Sequence, residues 1–360
     1  MKKVTSRFKS QRSTGRMTLN DVARAAGVSP STVSRALRGE RAVDPELVTR
    51  VLAVSDQLGY VPDPAARALA TQRSDHVTIL IPLLSNTLFV DLLEAAQRTL
   101  RLAGFQTLMG VTHYNPSEEE QLMREQLHHR PAGLLVTGLD HSVATQKLMA
   151  RSNVPCVHLM DLPNETPDDV STKIVSSDTI GNSPYCVGFR QTDAGEAMTQ
   201  YLLGKGKMRI VFAAAQLDPR VMQRLWGWRK ALKQVNRYDP SLEWLNPAPS
   251  SLALGGHMFE QIVKQHPDVD AIFFCNDDLA QGALLAALRL GVSVPSKVAI
   301  AGFNDLMGSD QMWPPLTTVK TPRAQVGEAA AQMLLQLIRG ETPEVAQLDL
   351  GFEIISRQSA

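Results

Sequence analysis

TLNDVARAAGVSPSTVSRALRGE, residues 18–40, decides how the chain begins, because its helix breaks fall at readable places. Thr18 can cap a helix, and Asp21 three residues on completes a variant of the capping box. Leu19, Val22, Ala23 and Ala26 follow at helical spacing, and Gly27 ends the segment as a residue tolerant of positive φ. Ser29-Pro30 then reads as N-cap and first helical residue, where proline is tolerated. The second helix turns Val33, Ala36 and Leu37 inward. Its other face carries Ser31, Thr32, Ser34, Arg35 and Arg38.

Moving outward, Asp44-Pro45 repeats the cap for a third helix. Its apolar Leu47, Val48, Val51, Leu52 and Leu58 are expected inside, and Gly59 ends it. Two short helices across a tight glycine turn, braced by a third, is the helix-turn-helix plan. The hydroxyls and the arginine on the second helix suit phosphates and a guanine edge. A generic three-helix bundle with a polar surface would show the same spacing.

Charge bears on that choice. Residues 1–73 hold thirteen Lys/Arg against six Asp/Glu, a local +7 in a chain of net charge +1, so the remainder carries −6. A basic head on an acidic body is what a polyanion-binding module looks like. Six of those cations (Lys2, Lys3, Arg7, Lys9, Arg12 and Arg16) precede the first helix and would equally make a solubilising tail.

With 360 residues, two to three domains are expected. Three scattered cysteines (Cys156, Cys186, Cys275) with no CxxC argue against a disulfide framework or a zinc site and suit a reducing cytoplasm. No apolar stretch follows the basic start and none approaches membrane-spanning length, so neither a secretory signal nor a membrane partner is expected.

From His76 onward strands and helices alternate: VTILIPLL (77–84), FVDLLEAAQRTLRLAG (89–104), QTLMGVTH (106–113), EEEQLMREQLHHR (118–130), AGLLVTG (132–138), PCVHLMD (155–161). VDAIFFCND (269–277), LAQGALLAALRLG (279–291) and VAIAGFND (298–305) repeat the unit. This predicts parallel sheets with helices on both faces, and ligands beyond the carboxyl ends of the strands. The polar residues there are Ser85, Asn86, Asp161, Asn276, Asp277 and Asn304. No GxGxxG or GxxxxGK[ST] follows a strand, so no nucleotide cofactor is expected, and no cofactor or metal of another kind is indicated. No nucleophile constellation occurs, so no enzyme is expected.

The run LNDVARAAGVSPSTVSRALRGE with GYVPDPAARALAT (59–71) resembles the headpiece of the lactose-repressor (LacI/GalR) family, with DVA, GVS, TVSR and GY-P in register. The resemblance implies that Ser31 and Arg35 read bases and that Ser29, Thr32 and Ser34 lie near phosphates. It adds Thr18, Arg38 and Arg67 to the DNA-contacting set. Pro30 stands where many relatives carry a base reader. Asp63-Pro64 can open a helix of barely two turns, marginal alone. The resemblance makes it a hinge helix whose Leu69 wedges into the minor groove when two copies meet on DNA.

SNTLF (85–89), LMD (159–161), RLWGW (224–228), FFCNDDLAQGA (273–283), VAIAGFND and PPLTTV (314–319) resemble the family's core, which is similar to periplasmic sugar-binding proteins. The implied fold is an α helix-turn-helix headpiece plus an α/β two-subdomain effector core. The expected divisions are a basic tail (1–16), headpiece (17–61), hinge (62–74) and core (75–360). Within the core, 75–175 plus 317–340 form one subdomain and 176–316 plus 341–360 the other, crossing near Leu316–Thr321. Carried across by match, Phe89, Asp161, Arg224, Asn276 and Asp277 would contact effector. Each has a plainer reading: Phe89 as core, the aspartates as helix caps, Arg224 as a surface ion pair.

Three departures from the family stand out. Asn304 replaces an aspartate, Arg190-Gln191 replaces an Asp-Asn pair, and Arg323 replaces an aromatic or neutral residue. Arg190, Asn304 and Arg323 therefore join the effector set, and they point to an anion, since the arginine fork binds carboxylate and phosphate bidentately. TPR (321–323) and LDLGF (348–352) look like the gluconate-operon repressor branch, so gluconate, a ketogluconate or a phosphogluconate is the expected effector. The expected protein is a homodimer on a pseudo-palindromic double-stranded operator. Its ISRQSA terminus has no leucine heptads for a larger assembly. A regulator with a neutral sugar or nucleobase effector, or an exported sugar-transport protein, are the alternatives. Pro163 to Tyr185 reads as a polar surface insertion.

Overall fold

The structure, a computed structural model, describes residues 17–37, 39, 43–61, 74–84, 87–163 and 184–360. It divides into two compact units, residues 1–74 and 75–360, each with its own core.

In the first unit, α1 (Leu19–Ala26) is held at its start by a reciprocal bond. Thr18 N donates to Asp21 Oδ2 at 3.0 Å, and Asp21 N donates to Thr18 Oγ1 at 3.4 Å. Gly27, at φ +69°, turns the chain into α2 (Pro30–Leu37). Asp44 Oδ1 accepts from Glu46 N at 2.8 Å to start α3 (Pro45–Gln57). Val22, Ala23, Ala26, Val33, Ala36 and Val51 close a small core. Leu52 departs from expectation and is 46% exposed. The buried face of α3 runs through Val51 and Ser55, and a residue one step past Val51 is rotated about 100° away.

The second unit has two six-stranded sheets. The first takes β1 (His76–Ile81), β2 (Gln106–Val111), β3 (Gly133–Thr137), β4 (Cys156–Leu159), β5 (Cys186–Gly188) and β11 (Gln347–Asp349), in the order β11-β5-β4-β3-β1-β2, every pair parallel. The second takes β6 (Ile210–Ala215), β7 (Glu243–Asn246), β8 (Ala271–Phe274), β9 (Ala299–Asn304), β10 (Thr317–Lys320) and β12 (Glu353–Ile355), in the order β12-β10-β9-β8-β6-β7. Only β12 runs antiparallel to its neighbour, β10. Helices α4 (Leu88–Leu102), α5 (Pro116–His128) and α6 (Val143–Ser152) follow strands of the first sheet. Helices α7 (Gln191–Gly204), α8 (Pro219–Gln234), α9 (Leu252–Gln265) and α10 (Asp277–Leu290) lie with the second. Continuous burial along β1, β6, β8 and β9 is what strands covered on both faces require.

The subdomain divisions differ from expectation in three places. Residues 186–188 pair with β4 in the first sheet, although 176–316 was expected in the second subdomain. Residues 317–320 pair with β9 in the second sheet, and the crossing back comes after them, before α11 (Arg323–Ile338), which packs on α4. The last segment is shared, β11 completing one sheet and β12 the other. The chain therefore passes between the halves three times, and an edge strand's sheet is set by its ladder partner rather than by its place in sequence.

Helices α7 and α8 meet at two glycines. A Cβ on Gly227 would fall 2.0 Å from Thr192 O, and one on Gly195 2.3 Å from Arg224 O. Only glycine admits that approach, and it sets the first half of α8 beside the start of α7. No helix among the described residues is long and apolar enough to cross a membrane.

Candidate nucleic-acid interface and ligand cleft

On the headpiece, burial of Val33 and Ala36 fixes which side of α2 is outward. Ser29, Pro30, Ser31 and Arg35 are exposed, Thr32 and Ser34 half-buried, and Thr18 exposed at the start of α1. Ser29 Oγ lies 2.8 Å from Ser31 Oγ and 2.7 Å from Thr32 Oγ1, and accepts from Thr32 N at 3.2 Å. Three hydroxyls thus gather at a helix N-terminus, where free N–H groups and the helix dipole favour an anion such as phosphate. Arg38, Arg67, Leu69, Ser85, Asn86 and nearly all of the expected insertion (164–183) lie outside the described residues.

In the larger unit the ends of β4, β8 and β9 and the start of α8 converge. Arg224 is only 3% exposed. Its Nε donates to Gln191 Oε1 at 2.8 Å and its Nη1 to Cys275 O at 2.7 Å, with Asn276 Oδ1 at 3.4 Å. The guanidinium lies 3.8 Å from the Phe303 ring centroid, a cation–π contact. Asn304 donates from Nδ2 to Asn276 Oδ1 at 3.2 Å, while its Oδ1 is buried without a partner. Asn304 holds φ +103°, a conformation that non-glycine residues adopt only when their surroundings impose it. Arg224, Asn276 and Asn304 are therefore brought together as expected. Gln191, noted in the sequence only as a departure beside Arg190, is the cluster's fourth member and also donates to Met160 O at 2.9 Å.

Arg220 escaped the sequence reading. It sits one turn before Arg224 on α8 and is 8% exposed. Asp218 caps the helix, accepting from Arg220 N at 3.1 Å, and its Oδ1 lies 3.4 Å from Arg220 Nε. From there the side chain reaches the other half of the unit. Its Cζ is 5.8 Å from the centroid of the Tyr114 ring, and a Cβ on Gly138 would fall 2.9 Å from its Nη1. Burial alone would lower the Arg220 pKa, but Asp218, Tyr114 and Asp161 outweigh it and the net shift is upward. Burial pushes the Tyr114 hydroxyl up to about 12. The signal that could have found Arg220 was Asp218-Pro219, the same cap that located the headpiece helices, with arginines four apart behind it.

Asp161, at the end of β4, has no exposed surface. Its Oδ1 accepts from Leu162 N at 3.0 Å, and its Oδ2 has no partner. Burial pushes its carboxyl up to about 7, opposed mainly by Arg220.

Four expected contacts take other places. Phe89 is 1% exposed and packs into the core from the first turn of α4. Asp277 Oδ2 accepts from Leu306 N at 2.7 Å and Ser309 Oγ at 2.9 Å, and its Oδ1 accepts from Thr318 Oγ1 at 2.7 Å. Those bonds make it a tie for the β9 turn rather than a lining group. Arg190 donates to Pro163 O at 3.3 Å and pairs with Asp349 at 3.7 Å, outside the Arg224 cluster. Arg323 donates to Asp91 Oδ2, to Asn304 O and, at 3.4 Å, to Asp305 O. In each case the group already has the partners its chemistry requires. The buried cations at these strand ends are accordingly Arg220 and Arg224.

Residues 18–63 match the family model described as bacterial regulatory proteins, lacI family, and residues 199–360 that of a periplasmic binding protein-like domain. The chain is 47% identical over 356 residues to the HTH-type transcriptional regulator GntR of Pseudomonas aeruginosa, covering 99% of each. It is 32% identical to the regulator of that name in Escherichia coli, over 94% of this chain and 97% of that one. Transcription regulator GntR from Chromobacterium violaceum has a similar structure, with a TM-score of 0.73 at 45% identity over 79% of this chain and 98% of that one. The lac repressor dimer bound to operator and the anti-inducer ONPF gives 0.81 at 23% identity over 96% and 99%, a likeness of fold alone.

Proposed function

The chain belongs to the lacI family of bacterial regulatory proteins and is a DNA-binding transcription regulator; from that premise we propose that it is a repressor whose operator affinity answers to a sugar acid such as gluconate, a ketogluconate or a phosphogluconate. The observation that carries the acid is the pair Arg220 and Arg224, one turn apart on α8 and both buried at the strand ends. Buried cations are costly without counter-charge, and although Arg220 pairs with Asp218, the hydrogen-bond partners of Arg224 include no carboxylate. Asn304, neutral where an aspartate would repel that anion, supports the same reading. Gln191, Asn276 and Asn304 supply hydrogen bonds suited to hydroxyls, and Asp161 a further acceptor.

On the DNA side the proposed contacts are Ser31 and Arg35 to bases and Ser29, Thr32 and Ser34 to phosphates. A homodimer would match two half-sites of a pseudo-palindromic operator, with Leu69 as the central minor-groove wedge. The outward polar face of α2 supports this.

Calorimetry with gluconate and glucose tests the effector. Gluconate should bind, and glucose at least about tenfold more weakly, since charge-assisted bonds contribute ~1.5–3 kcal/mol each. Equal affinities would move the reading to a neutral sugar.

A further inference from the structure

The first half of the larger unit holds a cavity of about 460 Å3 that shares no lining residue with the Arg224 cluster. Leu139, Met149, Val154, Cys156, Tyr185 and Leu337 give it apolar walls. A hydrogen-bonded row ends at one wall, running from Glu119 on α5 through His141, just after β3, to His158 on β4. Glu119 Oε1 lies 2.8 Å from His141 Nδ1, and His141 Nε2 lies 3.3 Å from His158 Nδ1. His158 Nδ1 is also 2.9 Å from Gly138 O. A carbonyl oxygen can only accept, so His158 carries its proton on Nδ1, and His141 Nε2 shares it as a second acceptor. His141 is then left to donate from Nδ1 to Glu119. His158 Nε2 keeps its lone pair and has no partner among the described residues, although the residue is only 9% exposed and lines the cavity. Burial, with His141 beside it, pushes the His158 ring down to about 3, so the lone pair persists at neutral pH.

We propose that this cavity is a second small-molecule site, one that takes a neutral, largely apolar ring with a single hydroxyl, a phenol or a cyclic alcohol, whose O–H donates to His158 Nε2. The volume lies within the roughly 300–1,000 Å3 of small-ligand sites, and apolar walls with few polar groups are what such sites share. Among the described residues no Asp, Glu, Lys or Arg lines it, so it offers nothing to a carboxylate or a phosphate. The polar atoms it does offer are acceptors. Gln146 spends its Nε2 on His141 O at 3.1 Å, which leaves its Oε1 beside His158 Nε2 as groups that want a donor. A buried acceptor is costly to leave unmade, and a ligand hydroxyl satisfies it while the ring covers the walls. A polyhydroxylated sugar acid would bury hydroxyls against apolar surface here and would find no cation. The site is therefore independent of the acid-effector reading above.

The test titrates the full-length chain with phenol and with toluene, rings of one size that differ in the hydrogen-bond donor, followed by ligand-observed NMR. Phenol should bind saturably and at least about threefold more tightly than toluene, since one net hydrogen bond is a factor of roughly two to ten. Phenol should also slow the labelling of Cys156 by methyl methanethiosulfonate, and gluconate should not. Cys156 lines the cavity and is half-buried, whereas Cys186 and Cys275 are buried. His158→Phe should bind toluene at least as tightly as phenol; should that variant not fold, the wild-type measurements decide alone. Toluene bound as tightly as phenol by the wild type, or phenol binding that leaves Cys156 labelling unchanged, would overturn the proposal. So would folded protein that binds neither ring, which would point instead to the chain's own residues 164–183, rejoining the fold at Pro184 on the cavity wall, as the occupant.

Discussion

Arg323 Nη2 lies 2.8 Å from Asp91 Oδ2, so the first residue of α11 is tied to the first turn of α4, while the same guanidinium donates to the Asn304 carbonyl at the end of β9. One side chain thus joins a helix packed on the first sheet to a strand of the second, just past the point where the chain crosses between them. Its charge is spent on that junction.

Arg323→Ala should therefore leave the preference for gluconate over glucose within about twofold of wild type. Asp91 is 50% exposed, so solvent screens the ion pair and its loss should cost no more than about 1 kcal/mol. Calorimetry and a denaturant titration check both parts. A tenfold fall in gluconate affinity alone would return Arg323 to the ligand.

The headpiece was legible because its signals are local. Caps at Thr18, Ser29 and Asp44 and the break at Gly27 each act within four residues, and the helices begin and end there. The larger unit was legible as alternation, since β6 and β8 are apolar throughout and β1 and β9 nearly so. Its strand assignments at the crossings were not, because nothing in Cys186–Gly188 or Thr317–Lys320 states which sheet supplies the neighbouring ladder. The site divided the same way. Arg224 and Asn304 came from matching motifs. Arg220 was missed because its importance depends on Gly138 and Tyr114, about eighty and more than a hundred residues away respectively, at distances fixed only by folding. Asp277 was misread because a carboxylate after a strand looks alike whether it faces a ligand or the donors of the next turn.

Gly138→Ala tests the Arg220 position. The new Cβ would fall 2.9 Å from Arg220 Nη1, at a backbone φ of +81° that L-residues rarely adopt. The strain costs of order 1–3 kcal/mol, and the guanidinium must shift from its place beside residue 138. Gluconate affinity should drop at least about tenfold, with glucose affinity affected less. A variant that folds and binds gluconate normally would place the acid elsewhere.

Asp277 offers a contrast between two substitutions. Asp277→Ala strands three donors (Leu306 N, Ser309 Oγ and Thr318 Oγ1) in a site with no exposed surface. At ~1–3 kcal/mol for each unsatisfied group, the loss should be at least about 3 kcal/mol by denaturant unfolding. Asp277→Asn should cost about 1 kcal/mol or less. The Thr318 hydroxyl can turn to accept from the new amide, and burial has already pushed the carboxyl up to about 7, toward its neutral form. Gluconate affinity of the folded asparagine variant should stay within about threefold of wild type, as it would not for a ligand-contacting carboxylate.

Stability against pH reports Asp161 without any ligand. Burial holds its folded pKa at about 7, above the ordinary carboxyl value of 3.8. Between those values the folded chain binds the extra proton, so this group's contribution to stability falls as pH rises from about 4 to 7 and stays low above that. Asp161→Asn removes the titration. The melting temperature of the variant minus that of wild type should therefore increase from pH 5 to pH 8. A difference constant across that range would mean that Asp161 is ionised in both states.

Arg35→Ala bears on how DNA is read. Arg35 projects from the exposed side of α2, on the face that also carries Ser31, while Val33 and Ala36 hold the helix to the headpiece core. An arginine that binds a guanine edge bidentately discriminates against the wrong base by ~1–3 kcal/mol, whereas one that only meets phosphate weakens all sequences alike. The expected outcome is operator affinity lowered at least about fivefold to a hundredfold per half-site, with binding to random DNA at the same salt lowered much less. Gel-shift titrations on operator and scrambled duplexes at two salt concentrations separate the cases, because a phosphate contact also reduces the salt slope by about one. Equal losses on both duplexes would assign Arg35 to the backbone and leave base reading to Ser31 and its neighbours.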